Sequence, residues 1–198
     1  MRKVLFLPGA GGSPSFWQPV MERLPADWNM STFSWPGLGD QPHDPAIKSV
    51  EDLIGLVDAR IDGPVDLVAQ SMGGVIAARI ALERPALVRR LVLVVTSAGV
   101  DMAAFGASDW RPDYRGLFPA AADWIMTPDA SPELPVERIA APTLLIWGDA
   151  DAISPVAVGK YLEARMPNAK LRVLAGGNHD IASTKANVVA ALIKQHLA

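Results

Sequence analysis

Three polar residues of this sequence could together perform nucleophilic catalysis: Ser71, Asp151 and His179. A serine hydroxyl is a poor nucleophile unless a base removes its proton. A histidine serves as that base when an acidic side chain holds it in one tautomer. The chain contains a serine, an acid and a histidine in that order, and a second acid, Asp149, precedes Asp151 by two residues. Both carboxylates are candidates for the orienting acid.

The surroundings of Ser71 are typical of a nucleophile on a sharp turn. The apolar run Val65–Ala69 predicts a buried strand, and the apolar residues after the turn predict a helix packed on a sheet. Strand must become helix within one or two residues, and the small side chains of Ala69 and Gly73 permit this. The backbone N–H of Met72 would then point from the helix N-terminus towards the substrate. A serine that merely caps a helix would give the same local pattern.

Strands and helices alternate along most of the sequence. Apolar runs rich in β-branched residues predict strands, and segments with apolar residues at helical spacing predict helices. This alternation favours a parallel sheet with helices on both faces and right-handed crossovers. We predict strands at residues 3–7, 29–35, 65–69, 91–95, 143–147 and 171–174, and helices near 16–24, 50–61, 75–82, 156–165 and 181–197.

The residues with catalytic potential follow these strands. In parallel α/β sheets, ligands bind at the carboxyl edge, where the loops after the strands meet. The glycine-rich stretch Gly9–Gly12 follows the first strand, Ser71 the third, Asp149 and Asp151 the fifth, and His179 the sixth. We therefore expect these residues to lie close together in the folded protein.

Four motifs at these strand ends resemble those of the α/β-hydrolase superfamily, and the resemblance covers nearly the whole chain. They are an oxyanion loop, a nucleophile elbow, an acid turn and a histidine loop, at Pro8–Gly12, Ala69–Gly73, Gly148–Asp151 and Gly177–His179 respectively. The resemblance implies a three-layer α/β/α sandwich with a mostly parallel sheet of about six strands. It also implies a sheet without the first two strands of the full fold, and hence the strand order 2-1-3-4-5-6.

The resemblance further implies a role for each residue of the catalytic set. Ser71 attacks the substrate, His179 acts as general base and then as general acid, and Asp151 orients His179. The acid of the family usually stands three residues after the glycine of its turn, which favours Asp151 over Asp149.

The same resemblance implies an oxyanion hole formed by the N–H groups of Ala10 and Met72. Such donors each contribute on the order of 3 kcal/mol to transition-state stabilisation. The sequence departs from the family pattern at two places. Pro8 stands where many relatives have histidine, and Ala69 stands where the elbow motif has its first glycine.

The segment between the fourth and fifth strands, at about residues 98–141, differs from the rest of the chain. It is rich in proline and tryptophan and has no sustained helical period, so we predict a short irregular lid. With this lid included, residues 1–198 are expected to form a single domain. Trp110 and Trp124 of the lid, and Phe16 and Trp17 after the oxyanion loop, are candidate substrate-binding residues, with core packing as the alternative.

Composition excludes several classes of function. The net charge of −3 gives no reason to expect nucleic acid or an anionic membrane as a partner. The chain has no cysteine and only three histidines, which argues against disulfides and against a multi-histidine metal site. The apolar run after Met1–Lys3 is too short for a signal peptide, and no segment is long and apolar enough to span a bilayer. We expect a cytoplasmic protein that binds a small-molecule substrate and needs neither metal nor organic cofactor.

These observations predict a small serine hydrolase that acts on carboxylic esters, or on lactones or thioesters, through an acyl-enzyme intermediate. The alternative is a ligand-sensing or interaction protein that keeps the same residues but turns over slowly. Receptors of this fold usually enclose their ligand under a large helical cap, and the proline-rich segment is not expected to build one.

Overall fold

The computed structural model describes residues 1–127 and 133–198, and a parallel sheet forms its centre. Within that part of the chain, the sheet has six strands in the order β2-β1-β3-β4-β5-β6, and neighbouring strands pair in parallel. The strands are β1 (Lys3–Leu7), β2 (Asn29–Thr32), β3 (Val65–Gln70), β4 (Val88–Val94), β5 (Thr143–Gly148) and β6 (Ala169–Leu174). The strand order predicted from the sequence is confirmed.

Helices cover both faces of this sheet. On one face α1 packs against α7, and on the other α2 packs against α3. The α-helices are α1 (Gln18–Met21), α2 (Val50–Asp58), α3 (Met72–Glu83), α4 (Arg111–Leu117), α5 (Val156–Arg165), α6 (Ile181–Thr184) and α7 (Ala186–Leu197). Short 3₁₀ helices occur at Pro14–Trp17, Met102–Phe105, Asp123–Met126 and Val136–Arg138. The resulting three-layer α/β/α sandwich is the predicted fold class.

The central strands are buried along their whole length. Every residue of β3 and of β5 is buried, as expected for strands covered by helices on both faces. One of these buried residues is charged. The carboxylate of Asp66 in β3 forms ion pairs with Arg2 at 2.9 Å and Arg89 at 2.8 Å. A buried charge is tolerated when it is paired in this way. Since Asp66 lies at the amino end of β3, these charges are remote from the carboxyl edge.

The lid contains a helix that the sequence analysis did not predict. Helix α4 begins where the Asp109 carboxylate accepts a hydrogen bond from the Arg111 N–H at 3.1 Å. Pro112 lies in the first turn of α4, where a missing N–H breaks no helical hydrogen bond. This proline therefore helps to start a helix rather than to prevent one. Residues 128–132 of the predicted lid lie outside the described residues.

The C-terminal helical region also differs from the prediction of one helix. The backbone leaves the helical region at Lys185, which separates α6 from α7.

Across the described ranges, 1–127 and 133–198, no helix combines the length and the apolar character needed to cross a membrane.

Candidate active site

Ser71 occupies the turn between β3 and α3 in a strained backbone conformation. Its φ is +51° and its ψ is −123°, which for a residue other than glycine costs about 1–3 kcal/mol. Three hydrogen bonds hold it there. The Ser71 N–H donates to the Val94 carbonyl at 3.0 Å, and the Ser71 carbonyl accepts from the Gly74 N–H at 2.9 Å and the Thr96 hydroxyl at 2.7 Å. The surrounding sheet and helix thus maintain the strain, and Ser71 lies on the wall of a cleft.

Gly73 allows the start of α3 to lie directly against the end of β1. A Cβ atom at this position would lie 2.6 Å from the Leu7 carbonyl oxygen and 2.5 Å from that of Pro8. No side chain fits into so small a space, so the second small residue of the elbow is a packing requirement. The close approach brings the N-terminus of α3 beside the Pro8–Gly12 loop.

A chain of hydrogen bonds connects Ser71 to a buried carboxylate. The Ser71 Oγ lies 3.0 Å from His179 Nε2, and His179 Nδ1 lies 2.8 Å from Asp151 Oδ2. The other carboxylate oxygen, Oδ1, accepts the N–H groups of Ile153 at 2.8 Å and Ser154 at 3.0 Å. An acceptor-only carboxylate facing Nδ1 favours the tautomer with its proton on Nδ1, which leaves Nε2 free to accept the Ser71 proton.

Asp149, the rival acid, faces a different partner. Its exposed carboxylate accepts a hydrogen bond from the Gly176 N–H at 2.6 Å. Asp149 thus links the loop after β5 to the loop after β6. The Asp151 side chain, by contrast, is only 1% exposed and contacts His179 directly.

The Pro8–Gly12 loop lies beside Ser71. A Cβ on Gly9 would lie 3.0 Å from the Cβ of Ser71, and both Ala10 and Met72 line the cleft. Among the described residues, the N–H groups of Ala10 and Met72 donate to no other group. These two donors therefore have the free hydrogen-bonding capacity that an oxyanion hole requires.

Comparison with known proteins identifies the family of this chain. Residues 4–192 match the model of the alpha/beta hydrolase family. The chain belongs to this family. It is a hydrolase, as the sequence predicted.

Curated relatives align with nearly the whole length of this hydrolase. The pimeloyl-acyl-carrier-protein methyl ester esterase of Neisseria meningitidis serogroup A is 29% identical, over 98% of this chain and 76% of its own. The match extends over 238 positions, so at least 40 positions (238 less 198) have no counterpart in this shorter chain.

Solved structures share the fold. A hydrolase from Pseudomonas aeruginosa superposes with a TM-score of 0.79 at 21% identity, covering 100% of this chain and 90% of its own. A thermophilic esterase from Thermogutta terrifontis gives a TM-score of 0.77 at 19% identity, with coverage of 100% and 89%. At these identities the likeness concerns the fold alone.

The cleft of the hydrolase has a volume of about 1220 Å³ and lies between the carboxyl edge of the sheet and the lid. Three of the four aromatic residues predicted to bind substrate line it: Phe16, Trp110 and Trp124. One wall carries Leu117, whose side chain is 73% exposed, so this wall is in contact with solvent.

Trp17, the fourth predicted pocket residue, belongs to the core instead. Its side chain is fully buried, its indole N–H donates to the Leu7 carbonyl at 3.0 Å, and its ring packs against Phe6 at 5.6 Å. In the 3₁₀ helix that carries both residues, Phe16 faces the cleft and Trp17 faces the sheet. Trp17 therefore does not line the cleft, contrary to the prediction.

Sequence reasoning missed two residues that hydrogen-bond to the backbone of His179 and Ser71. The Gln70 amide, 3% exposed, donates to the His179 backbone carbonyl at 3.2 Å. The buried Thr96 hydroxyl donates to the Ser71 carbonyl and accepts the Ala98 N–H at 3.1 Å. Both are polar residues at the ends of apolar strands, and this was the one signal in the sequence that could have identified them.

Proposed function

We propose that this hydrolase cleaves carboxylic esters by double displacement, with Ser71 as nucleophile, His179 as general base and Asp151 as the orienting acid. The observation that carries the proposal is the unbroken hydrogen-bond chain from Asp151 through His179 to Ser71. The name of the Neisseria relative, a methyl ester esterase, supports an ester as the substrate. Lactones and thioesters contain the same electrophilic carbonyl and belong to the same proposal.

In the first half-reaction, the Ser71 Oγ attacks the ester carbonyl carbon while His179 Nε2 takes the hydroxyl proton. The carbonyl π electrons move to the oxygen, which the N–H groups of Ala10 and Met72 stabilise as an oxyanion. When the tetrahedral intermediate collapses, the bond to the leaving alkoxide breaks and His179 supplies its proton. The products are a free alcohol and an acyl ester of Ser71.

In the second half-reaction, water takes the place of the alcohol. His179 removes a proton from the water as the water oxygen attacks the acyl carbon, and the same two N–H groups stabilise the oxyanion. Collapse breaks the bond between Ser71 and the acyl group and returns the proton to Ser71. A carboxylic acid leaves, and the enzyme is restored.

Repeated turnover is the expected result that distinguishes this enzyme from a ligand sensor. With excess 4-nitrophenyl acetate, we expect a burst of nitrophenol in proportion to the enzyme, followed by continued steady release. Stopped-flow absorbance against a titrated enzyme concentration measures both phases. Release of one equivalent of nitrophenol with no further release would contradict the enzymatic proposal and favour a slow-turnover receptor.

We expect kcat/KM for 4-nitrophenyl esters to peak at short acyl chains. Burying a CH₂ group gains about 0.8 kcal/mol, but only where the chain leaves water. In the described part of the lid, the longest helix, α4, has seven residues, and the wall at Leu117 is exposed. A series from acetate to palmitate, measured below and above the solubility limit, tests this. A steady gain towards palmitate, or a jump in rate on emulsification, would indicate a lipase-like lid.

A further inference from the structure

Hydrogen bonds hold the carbonyl groups of Leu7 at the end of β1 and of Pro8, Gly9, Ala10 and Gly12 in the oxyanion loop. Four of the donors come from residues 12–35, close to the loop in sequence. The carbonyl oxygens of Leu7, Pro8, Gly9 and Gly12 accept from the Trp17 indole at 3.0 Å, the Trp35 indole at 2.8 Å, the Gly12 N–H at 3.0 Å and the Trp35 N–H at 3.0 Å, respectively. The donor to Ala10 comes from a different region of the chain.

That donor is Tyr114 of the lid helix α4. Its hydroxyl donates to the Ala10 carbonyl at 2.8 Å and accepts the Gly39 N–H at 2.9 Å. Since the one hydroxyl proton is used at Ala10, Tyr114 cannot itself donate to a substrate oxyanion. The residue is 7% exposed, and its ring lies edge-on to Trp110 at 5.3 Å and beside Phe118 at 5.1 Å.

The hydroxyl of Tyr114 restrains one side of Ala10, and the Gly9–Gly12 turn restrains the other. The Ala10 N–H belongs to the peptide whose carbonyl, on Gly9, accepts the Gly12 N–H. The Ala10 carbonyl belongs to the next peptide, which leads to Gly11. Gly11 is exposed and has no side chain to anchor the loop, and its backbone packs closely against Gly39, whose N–H donates to the Tyr114 hydroxyl. Tyr114 is therefore the side chain that fixes this second peptide.

We propose that Tyr114 is a positioning residue for the oxyanion hole: by holding the Ala10 carbonyl, it keeps the Ala10 N–H aimed at the oxyanion. This inference rests on the proposed function, because it assigns the Ala10 N–H to the oxyanion. The Gly39 N–H orients the hydroxyl, so the proton of Tyr114 points to Ala10. Burial raises the pKa of the Tyr114 phenol, which keeps that proton in place. The oxyanion hole is thus complete only when α4 lies against the loop after β1.

Tyr114→Phe tests this inference because it keeps the ring and removes only the hydroxyl. Losing an oxyanion donor outright lowers kcat by about 10²–10³, and a donor that is present but loosened should lower it by roughly tenfold. KM should change less than about twofold, because the oxyanion forms only in the transition state. The inhibition constant of an aryl boronic acid should rise by the same factor as kcat falls.

Tyr161→Phe is the matched control. Tyr161 is the other of the two tyrosines, and its hydroxyl donates to Glu133 at 2.9 Å and accepts from Arg165 at 2.7 Å. It should leave kcat and the boronic acid constant unchanged. Unaltered kcat in Tyr114→Phe, or a raised KM with unaltered kcat, would overturn the positioning role. If activity did not depend on Ser71 at all, the proposed function itself would have failed.

A second measurement keeps the Tyr114 hydroxyl in place and so does not depend on Tyr114→Phe being folded. In the Tyr161→Phe background, biosynthetic replacement of tyrosine by 3,5-difluorotyrosine labels position 114 alone. Fluorination lowers the phenol pKa, and a phenolate cannot donate to the Ala10 carbonyl. Activity of the labelled enzyme should therefore fall at a lower alkaline pH than that of the unlabelled Tyr161→Phe enzyme. Coincident alkaline limbs would overturn the inference.

Discussion

Replacing Ser71 with alanine should abolish nearly all ester hydrolysis, lowering kcat by about 10⁵–10⁶. The nucleophile and its base act as one unit, so the loss of Ser71 removes the acyl-enzyme route altogether. The fold should survive, because alanine meets the same backbone strain at φ +51° and the three backbone hydrogen bonds around Ser71 remain. Initial rates on 4-nitrophenyl acetate, with circular dichroism to verify folding, measure the effect.

Covalent labelling gives an independent readout of the same prediction. A fluorophosphonate should modify Ser71, because His179 lies within hydrogen-bond distance of its hydroxyl and can remove its proton, whereas a serine without such a base reacts poorly. Mass spectrometry of the labelled peptide identifies the site. Ser15→Ala is the control, since Ser15 is exposed and lies outside the cleft. Labelling at another serine, with full activity in Ser71→Ala, would refute the mechanism.

Asp151→Asn should lower kcat by about 10³–10⁴ with little change in KM. The Oδ1 atom of Asp151 accepts two backbone N–H groups, from Ile153 and Ser154. An asparagine would place its carbonyl oxygen there and turn its NH₂ group towards His179 Nδ1. Nδ1 would then become the acceptor, and the proton would move to Nε2, where it blocks transfer from Ser71. Steady-state kinetics on a short-chain aryl ester measure this loss.

Asp149→Asn is the matched control for the acid. Asp149 is exposed, and its contact with the Gly176 N–H needs only an acceptor oxygen, which asparagine also has. We expect kcat within about threefold of the wild-type value, in line with the small effects of surface substitutions. If Asp149→Asn were the more damaging of the two, Asp149 would be the orienting acid.

The residue pattern was sufficient to predict most of the fold. Strand β1 begins and ends as predicted, and α5 has its predicted bounds. The strand order and the three-layer architecture were also predicted correctly. Buried strands and amphipathic helices carry a local periodicity, and the connections between parallel strands leave few possible topologies. The prediction was weaker in the lid, where the short helix α4 begins beside the hydrogen bond from the Arg111 N–H to Asp109 and has Pro112 in its first turn, and neither feature shows as a hydrophobic period.

The sequence also determined which residues gather at the carboxyl edge of the sheet, because that depends only on where each strand ends. It left the choice between Asp149 and Asp151 to a family resemblance. The structure favours Asp151, since the turn after β5 buries this side chain beside His179 and leaves Asp149 in solvent. Asp149 and Asp151 are the same residue type in the same short turn, so no local sequence pattern separates them. Only the path of the folded loop distinguishes the two side chains.

The roles of Trp17 and Tyr114 also could not be predicted from local sequence patterns. Trp17 follows Phe16 directly, yet one ring enters the core and the other lines the cleft. Tyr114 and the Ala10 carbonyl that it holds are 104 residues apart in the chain. A contact of this kind depends on how the lid helix packs on the loop after β1, and no local pattern records that packing. The sequence thus determined the elements and the edge where the chemistry lies, whereas tertiary packing decided which side chains face that edge and which groups hold them.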